Sequence, residues 1–171
     1  MTRSRLVFWG LLVGMIVLDQ ATKVWARYAA DFTERKTILA LWPDVFELTL
    51  VYNRGIAFGL FQGAGVFLAP VAITIAIGAI WYNFKHPKDP MWGHVAASLL
   101  AAGALGNLYD RLVHGQVTDM FWIRAIDFPV FNIADACITV AAGLMILSWV
   151  RDAFKSSSRA QVHETPAPSA E

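Results

Sequence analysis

The stretch L-V-F-W-G-L-L-V-G-M-I-V-L-D-Q-A-T-K-V-W-A-R, residues 6–27, decides the class of fold. It is apolar on every side as far as residue 18, and at ~1.5 Å per residue its helix covers the ~30 Å of hydrocarbon in a bilayer. Arg3 and Arg5 precede it, as in a cleavable secretory signal. No small-x-small cleavage site follows directly; Asp19, Gln20 and Lys23 come instead, so a retained first helix is expected. Three more stretches of spanning length lie at residues 66–84, 92–112 and 131–150, the third the least apolar because of Asn107, Asp110 and Arg111. The expectation is a mainly α membrane protein of four transmembrane helices. A soluble helical bundle seldom carries helices so long and so apolar on all faces.

Composition agrees. The chain is 57% hydrophobic and 16% charged over 171 residues, more apolar side chain than one small soluble core consumes. The formal charge of +1 is spread without a basic stripe, which removes nucleic acid as a partner. Cys137 is the single cysteine, so no intrachain disulfide forms, and it sits in an apolar run as a small packing residue.

Lysine and arginine set the orientation. Arg3 and Arg5 precede the first span, Lys85 and Lys88 join the second to the third, and Arg151, Lys155 and Arg159 follow the fourth; the other connections hold only Arg35, Lys36, Arg54 and Arg124. Both termini are therefore expected in the cytoplasm. Trp9, Trp81, Trp92 and Trp149 fall at the inner ends of that frame and Trp25 and Trp122 at or beyond the outer ends, as boundary-seeking indoles do. Residues 28–65 are too long for a turn, and V-F-E-L-T-L-V-Y at 45–52 has the alternation of a strand, so a small extracytoplasmic β-sheet is expected there. Gly55, Gly59, Gly63 and Gly65 punctuate a further strand or a membrane-lying loop at 56–61. One domain covers residues 1–155, and the Ser-, Ala- and Pro-rich tail at 156–171 reads as disordered.

An ionisable side chain near the bilayer centre costs at least ~2.5 kcal/mol, so its depth carries information. Asp19 and Lys23 are four apart on one helical face, and Asn107 and Arg111 repeat that spacing. Asn132 and Asp135 open the fourth helix, and Asp119 is expected in a loop just after the third. Chain direction alone brings these seven groups to one depth near the outer boundary. The competing explanation is a set of isolated pairs, Asp19 with Lys23 and Asp110 with Arg111, that tie helices together or snorkel to water.

The chemistry is narrowed by what is missing at that depth. No serine falls in the outer segments, which excludes a Ser-His-Asp triad there, and neither H-E-x-x-H nor a cysteine pair is present for zinc. Carboxylates and carboxamides remain, which suits water activation between two aspartates, one protonated and one ionised. Asn53, Arg54 and Asn132 are each suited to steady the oxyanion or hold substrate backbone, and the sequence does not choose among them.

Four motifs in order resemble lipoprotein signal peptidase, signal peptidase II: D-Q-A-T-K at 19–23, N-R-G-I-A-F at 53–58, N-L-Y-D-R-L-V-H-G-Q-V-T-D at 107–119, and F-N-I-A-D at 131–135. The resemblance covers nearly the whole chain apart from the tail. It implies an aspartic endopeptidase of the bacterial inner membrane that cleaves the signal peptide from diacylglyceryl-modified prolipoproteins on the amino side of the lipid-bearing cysteine. No metal and no cofactor are implied. The fold it implies is four transmembrane helices with an extracytoplasmic β-cradle and a short surface helix. Asp119 and Asp135 would be catalytic, Asn53, Arg54, Asn107, Arg111 and Asn132 would position substrate or catalytic groups, and Asp19 and Lys23 would support them. Thr118 and Met120 flank Asp119 where the family often has Val and Phe, a mild departure. Asp110, paired to a basic neighbour, and Asp127, in a loop before Phe128 and Pro129, are the rival carboxylates. Lipidated precursors and membrane lipids are the expected partners and a monomer the expected state. The alternatives from other classes are a small proton-coupled transporter or channel, disfavoured by the apolar inner halves of the second and fourth spans, and a non-catalytic assembly subunit.

Overall fold

The computed structural model describes residues 2–55 and 68–163, with backbone only for 155–163. Residues 56–61, where a second strand or surface loop is expected, lie outside the described residues, as do 164–171 of the tail. Four helices and three strands follow in the order α1 (Arg3–Ala29), β1 (Thr37–Trp42), β2 (Phe46–Asn53), α2 (Ala69–Lys85), α3 (Met91–His114), β3 (Val117–Ile123) and α4 (Ile133–His163).

Each helix starts and stops for a local reason. Thr2 caps α1, its Oγ1 accepting from the Arg5 N–H at 3.4 Å. Proline at the first turn of α2 and Pro90 just before α3 mark starts where the missing N–H costs nothing. Gly115 ends α3 at φ +69°, a left-handed turn that suits glycine and turns the chain within two residues into β3. The helix α4 runs past the expected end at 150 and past the start of the tail expected to be disordered at 156. The segment K-S-S-S-R-A-Q-V-H at 155–163 contains neither glycine nor proline to stop the helix.

The helix α3 is central, with α1, α2 and α4 packed around it. Small residues make this possible. A methyl group at Gly103 would overlap the Ala134 carbonyl and Ile138 of α4, and one at Gly106 would stand 2.6 Å from Asp19 Oδ2 of α1. Phe8, Leu12, Ala79, Ala97 and Ala101 form one buried cluster where α1, α2 and α3 meet. Much of the rest is turned outward: Val13, Val17, Ile77, Ile146, Leu147 and Trp149 are all more than half exposed. An apolar belt of that kind faces lipid, not water. Arg3–Ala29 and Ile133–Phe154 are each long and apolar enough to cross a membrane.

The strands form one antiparallel sheet in the order β1-β2-β3. The expected strand at 45–52 is β2, displaced by one residue at each end. The third strand corrects the placement of Asp119, which lies within β3 and not in a loop. V-T-D-M-F-W-I pairs with β2 in the register Asn53↔Val117, Tyr52↔Thr118 and Val51↔Asp119, with a register shift between Leu48 and Val51. Strand pairing overrides the poor strand propensity of aspartate because the neighbours Val117, Thr118 and Met120 are all buried. Leu50 and Met120 pack with Ala26 and Ala30, seating the sheet on the end of α1.

Candidate active site

The fourth helix opens with a reciprocal cap. Asn132 Oδ1 accepts from the Asp135 N–H at 2.9 Å, and Asp135 Oδ2 accepts from the Asn132 N–H at 3.2 Å. An amide and a carboxylate three residues apart satisfy two orphan donors of the helix start. The other Asp135 oxygen, Oδ1, accepts from Asn107 Nδ2 of α3 at 2.7 Å. Asp135 is half-buried, so one side of it remains open.

Asn132 also reaches the second aspartate. Its Nδ2 donates to Asp119 Oδ1 at 2.6 Å and to Asn107 Oδ1 at 3.0 Å. One carboxamide therefore holds Asp119 of β3 while the same residue holds Asp135 of α4. Asn53, at the end of β2, is a further hydrogen-bond partner of Asp119. Asp119 is 2% exposed. Burial, and next the charge of Asp135, raise its carboxyl from an ordinary value near 3.8 to about 8, against the pull of Asn132, Lys23 and Asn53. The two acids thus sense each other electrically, one buried and proton-retaining, the other capped and bonded by donors.

A charged platform lies beneath. Lys23, fully buried, meets Asp19 at 2.8 Å and Asp110 at 3.6 Å, and donates to Asn107 Oδ1 at 3.0 Å. Asp19 Oδ1 also accepts from the Ala134 N–H at 2.9 Å, which anchors α1 to the first turn of α4. Asp110 was expected to pair with its neighbour in sequence. It pairs instead with Lys23 and with Arg27 at 4.0 Å, and accepts the Thr118 N–H at 2.8 Å. Consecutive residues of a helix point about 100° apart, so Asp110 faces α1 while Arg111 faces elsewhere. Asp110 therefore fixes the residue next to Asp119, and Arg27 assists by donating to Thr118 Oγ1 at 2.8 Å.

Of the nine residues singled out from sequence, Asp19, Lys23, Asn53, Asn107, Asn132, Asp119 and Asp135 form this one network. Arg111 lies on its edge, in Coulomb range of Asp135, Asp119 and Asp110, and donates to the Asn107 carbonyl at 3.4 Å. Arg54 leans away to Glu34 at 3.4 Å. Arg27, Asp110 and Thr118 were missed as supports. Arg27 had a signal, since it continues the four-residue spacing of Asp19 and Lys23. The rival Asp127 ends a 3-10 turn at φ +47°, beside Arg35 and Phe128 on the sheet, outside the network.

Comparison with known proteins gives the family. The family model described as signal peptidase (SPase) II matches residues 11–151. A lipoprotein signal peptidase of Gloeobacter violaceus is 39% identical over 161 residues, covering 94% of this chain and 86% of its own length. One from Pseudomonas putida is 37% identical over 170 residues, covering 94% and 95%. A bacterial membrane enzyme solved by the in meso method at 2.3 Å superposes with a TM-score of 0.77 at 31% identity, covering 85% of this chain and 88% of that one. A match that begins inside the first helix and ends inside the fourth takes in every residue of the network, and this chain belongs to the signal peptidase II family.

Proposed function

We propose that Asp119 and Asp135 are the catalytic pair with which this peptidase removes the signal peptide from diacylglyceryl-modified prolipoproteins, on the amino side of the lipid-bearing cysteine. The observation that carries the assignment is Asn132, whose side-chain Nδ2 donates to Asp119 at 2.6 Å while its Oδ1 and its backbone N–H make the reciprocal cap with Asp135. Prolipoprotein cleavage is the activity of the family, and the transporter considered on sequence grounds finds no support among the relatives.

Burial keeps the proton on Asp119, while Asp135 accepts from Asn107 Nδ2 and from the Asn132 N–H and is only half-buried. Asp135 takes a proton from water as the oxygen attacks the scissile carbonyl carbon, and Asp119 gives its proton to the developing oxyanion. When the tetrahedral species collapses, the C–N bond breaks, the leaving nitrogen takes the proton now on Asp135, and a hydroxyl of the diol returns its proton to Asp119 as the carboxyl group forms. The pair titrates as a unit, so its pH profile belongs to both acids.

In this reading all four helices span the bacterial inner membrane, with both termini in the cytoplasm, and the sheet and the aspartates stand near the outer boundary. Residues 1–155 act as one peptidase domain, working as a monomer among membrane lipids. Arg111 and Arg54 are at the rim, suited to the lipid-modified end of the substrate or its backbone. The test is cleavage of a lipidated precursor by purified protein. Asp119→Asn and Asp135→Asn should each lower turnover by ~10⁴-fold while the protein stays folded. Full activity in either variant removes that residue from the pair.

A further inference from the structure

A cavity of about 570 Å³ opens on the lipid-facing side of the bundle, at the end opposite the aspartates. It lies where α2 and α4 each pack chiefly on α3. Its walls are Gly78 and Ala79 of α2 and Met145 and Trp149 of α4, and its floor is Ala97 and Leu100 of α3.

Helical periodicity ties this groove to the active site. On α3 the floor stripe Gly93, Ala97 and Leu100 continues through Ala104 to Asn107 and Arg111, each three or four residues on. On α4 the stripe Trp149 and Met145 continues through Ala142 and Ile138 to Asp135. Both walls therefore lead to groups of the catalytic network. At ~1.5 Å per residue, Asp152, which lines the far mouth, stands ~26 Å along α4 from Asp135.

The charges at that mouth are also sorted. Asp152 lines it, and Asp89 stands at its edge, accepting from the hydroxyl of Tyr82, a lining residue, at 2.9 Å. The basic groups there are held by neighbours: Arg5 lies over Phe84 at 5.1 Å, Arg151 over the lining residue Trp92 at 4.9 Å, and His86 Nδ1 stands 3.8 Å from Asp89 Oδ2. Arg151 also meets Asp152 at 3.0 Å, but both are about half exposed, and an exposed pair of neighbours is weakly held.

We propose that the groove between α2 and α4 is an exosite for the signal peptide itself: its apolar helix lies on the small residues of the floor, and its basic n-region meets Asp152 and Asp89. The idea rests on the cleavage reading above. A signal peptide has a positively charged start and an apolar stretch of ~7–15 residues before the cleavage region; as a helix that stretch covers ~10–22 Å, and the residues on either side of it make up the rest of the way from Asp152 to the catalytic end. Within lipid, helices associate by close packing on small residues, which the groove supplies.

Gly78 offers a clean test, because a Cβ there meets nothing within 4 Å. Gly78→Leu fills the groove without crowding the fold and also improves helix propensity. With a full-length lipidated precursor, Gly78→Leu should raise KM about tenfold with kcat nearly unchanged. Cleavage of a short lipopeptide, carrying only the residues around the scissile bond, should stay as in the unsubstituted protein. Asp152→Lys should weaken a precursor with a lysine-rich n-region, and replacing those lysines by glutamate should restore it. An unchanged KM for the full-length precursor in Gly78→Leu overturns the exosite, and so does an equal loss on both substrates, which would mark a general lipid or packing groove. Failure of the unsubstituted protein to cleave either substrate overturns the cleavage reading and this proposal with it.

Discussion

The two ends of the helical bundle both bury polar side chains, and they do so differently. At the catalytic end, Asp19, Lys23, Asp110 and Asp119 are each no more than 2% exposed and interlock as charged groups. At the other end, Asn83, His94 and Ser98 are fully buried, with His94 Nδ1 2.9 Å from Asn83 Oδ1 and Ser98 Oγ donating to the Phe8 carbonyl at 2.8 Å. Hydroxyl, amide and imidazole are enough to stitch one helix to the next. Full charges, with their large desolvation cost, are gathered at the end that holds Asp119 and Asp135.

The largest effect separating the ends is expected at Lys23. Lys23→Met leaves Asp19 and Asp110 without their shared cation and should cost ~3–5 kcal/mol, read as a fall in denaturation midpoint in detergent; a loss below 1 kcal/mol would mean the platform holds no buried charge pair. Next comes Asn132→Ala, which takes the amide from Asp119 and the Oδ1 acceptor from the Asp135 N–H and should lower kcat by ~10²–10³-fold, with the pH optimum displaced as Asp119 loses its donor. An unchanged rate and profile would separate the two acids functionally.

The third contrast is a slope with pH. Asp119 has a folded pKa above its unfolded value, so the native state binds more protons and stability falls as pH rises from about 4 to about 8. Asp119→Asn should flatten that slope while abolishing turnover. In the unsubstituted enzyme, kcat/KM should fall on the alkaline side near pH 8. The smallest effect belongs to the far end: Ser98→Ala loses one neutral hydrogen bond, about 1 kcal/mol, with kcat unchanged. A large rate loss there would show that the stitching end is coupled to the chemistry.

Local rules made the catalytic end legible to a large degree. The spacing of Asp19 and Lys23, of Asn107 and Arg111, and of Asn132 and Asp135 put each pair on one helical face, and chain direction set their common depth. What stayed hidden was pairing at long range. Asp110 finds its cations on α1, more than eighty residues earlier, where no periodicity in α3 points. The strand β3 was hidden because an aspartate interrupts its apolar pattern and it begins two residues after a helix. Only its ladder with β2 declares it. The extent of α4 was misjudged because serines signal loops by composition, whereas a helix already under way is stopped by proline or glycine.

The opening of α4 has a double duty. Under the proposed mechanism Asp135 both ties down the first turn and receives a proton, and while that proton sits on it the charge that strengthens the cap is neutralised. During that interval the turn still has a second tether, the Ala134 N–H on Asp19, which stays outside the reaction and keeps its own lysine. The first helix thus serves as a splint on the fourth at the moment the chemistry loosens it.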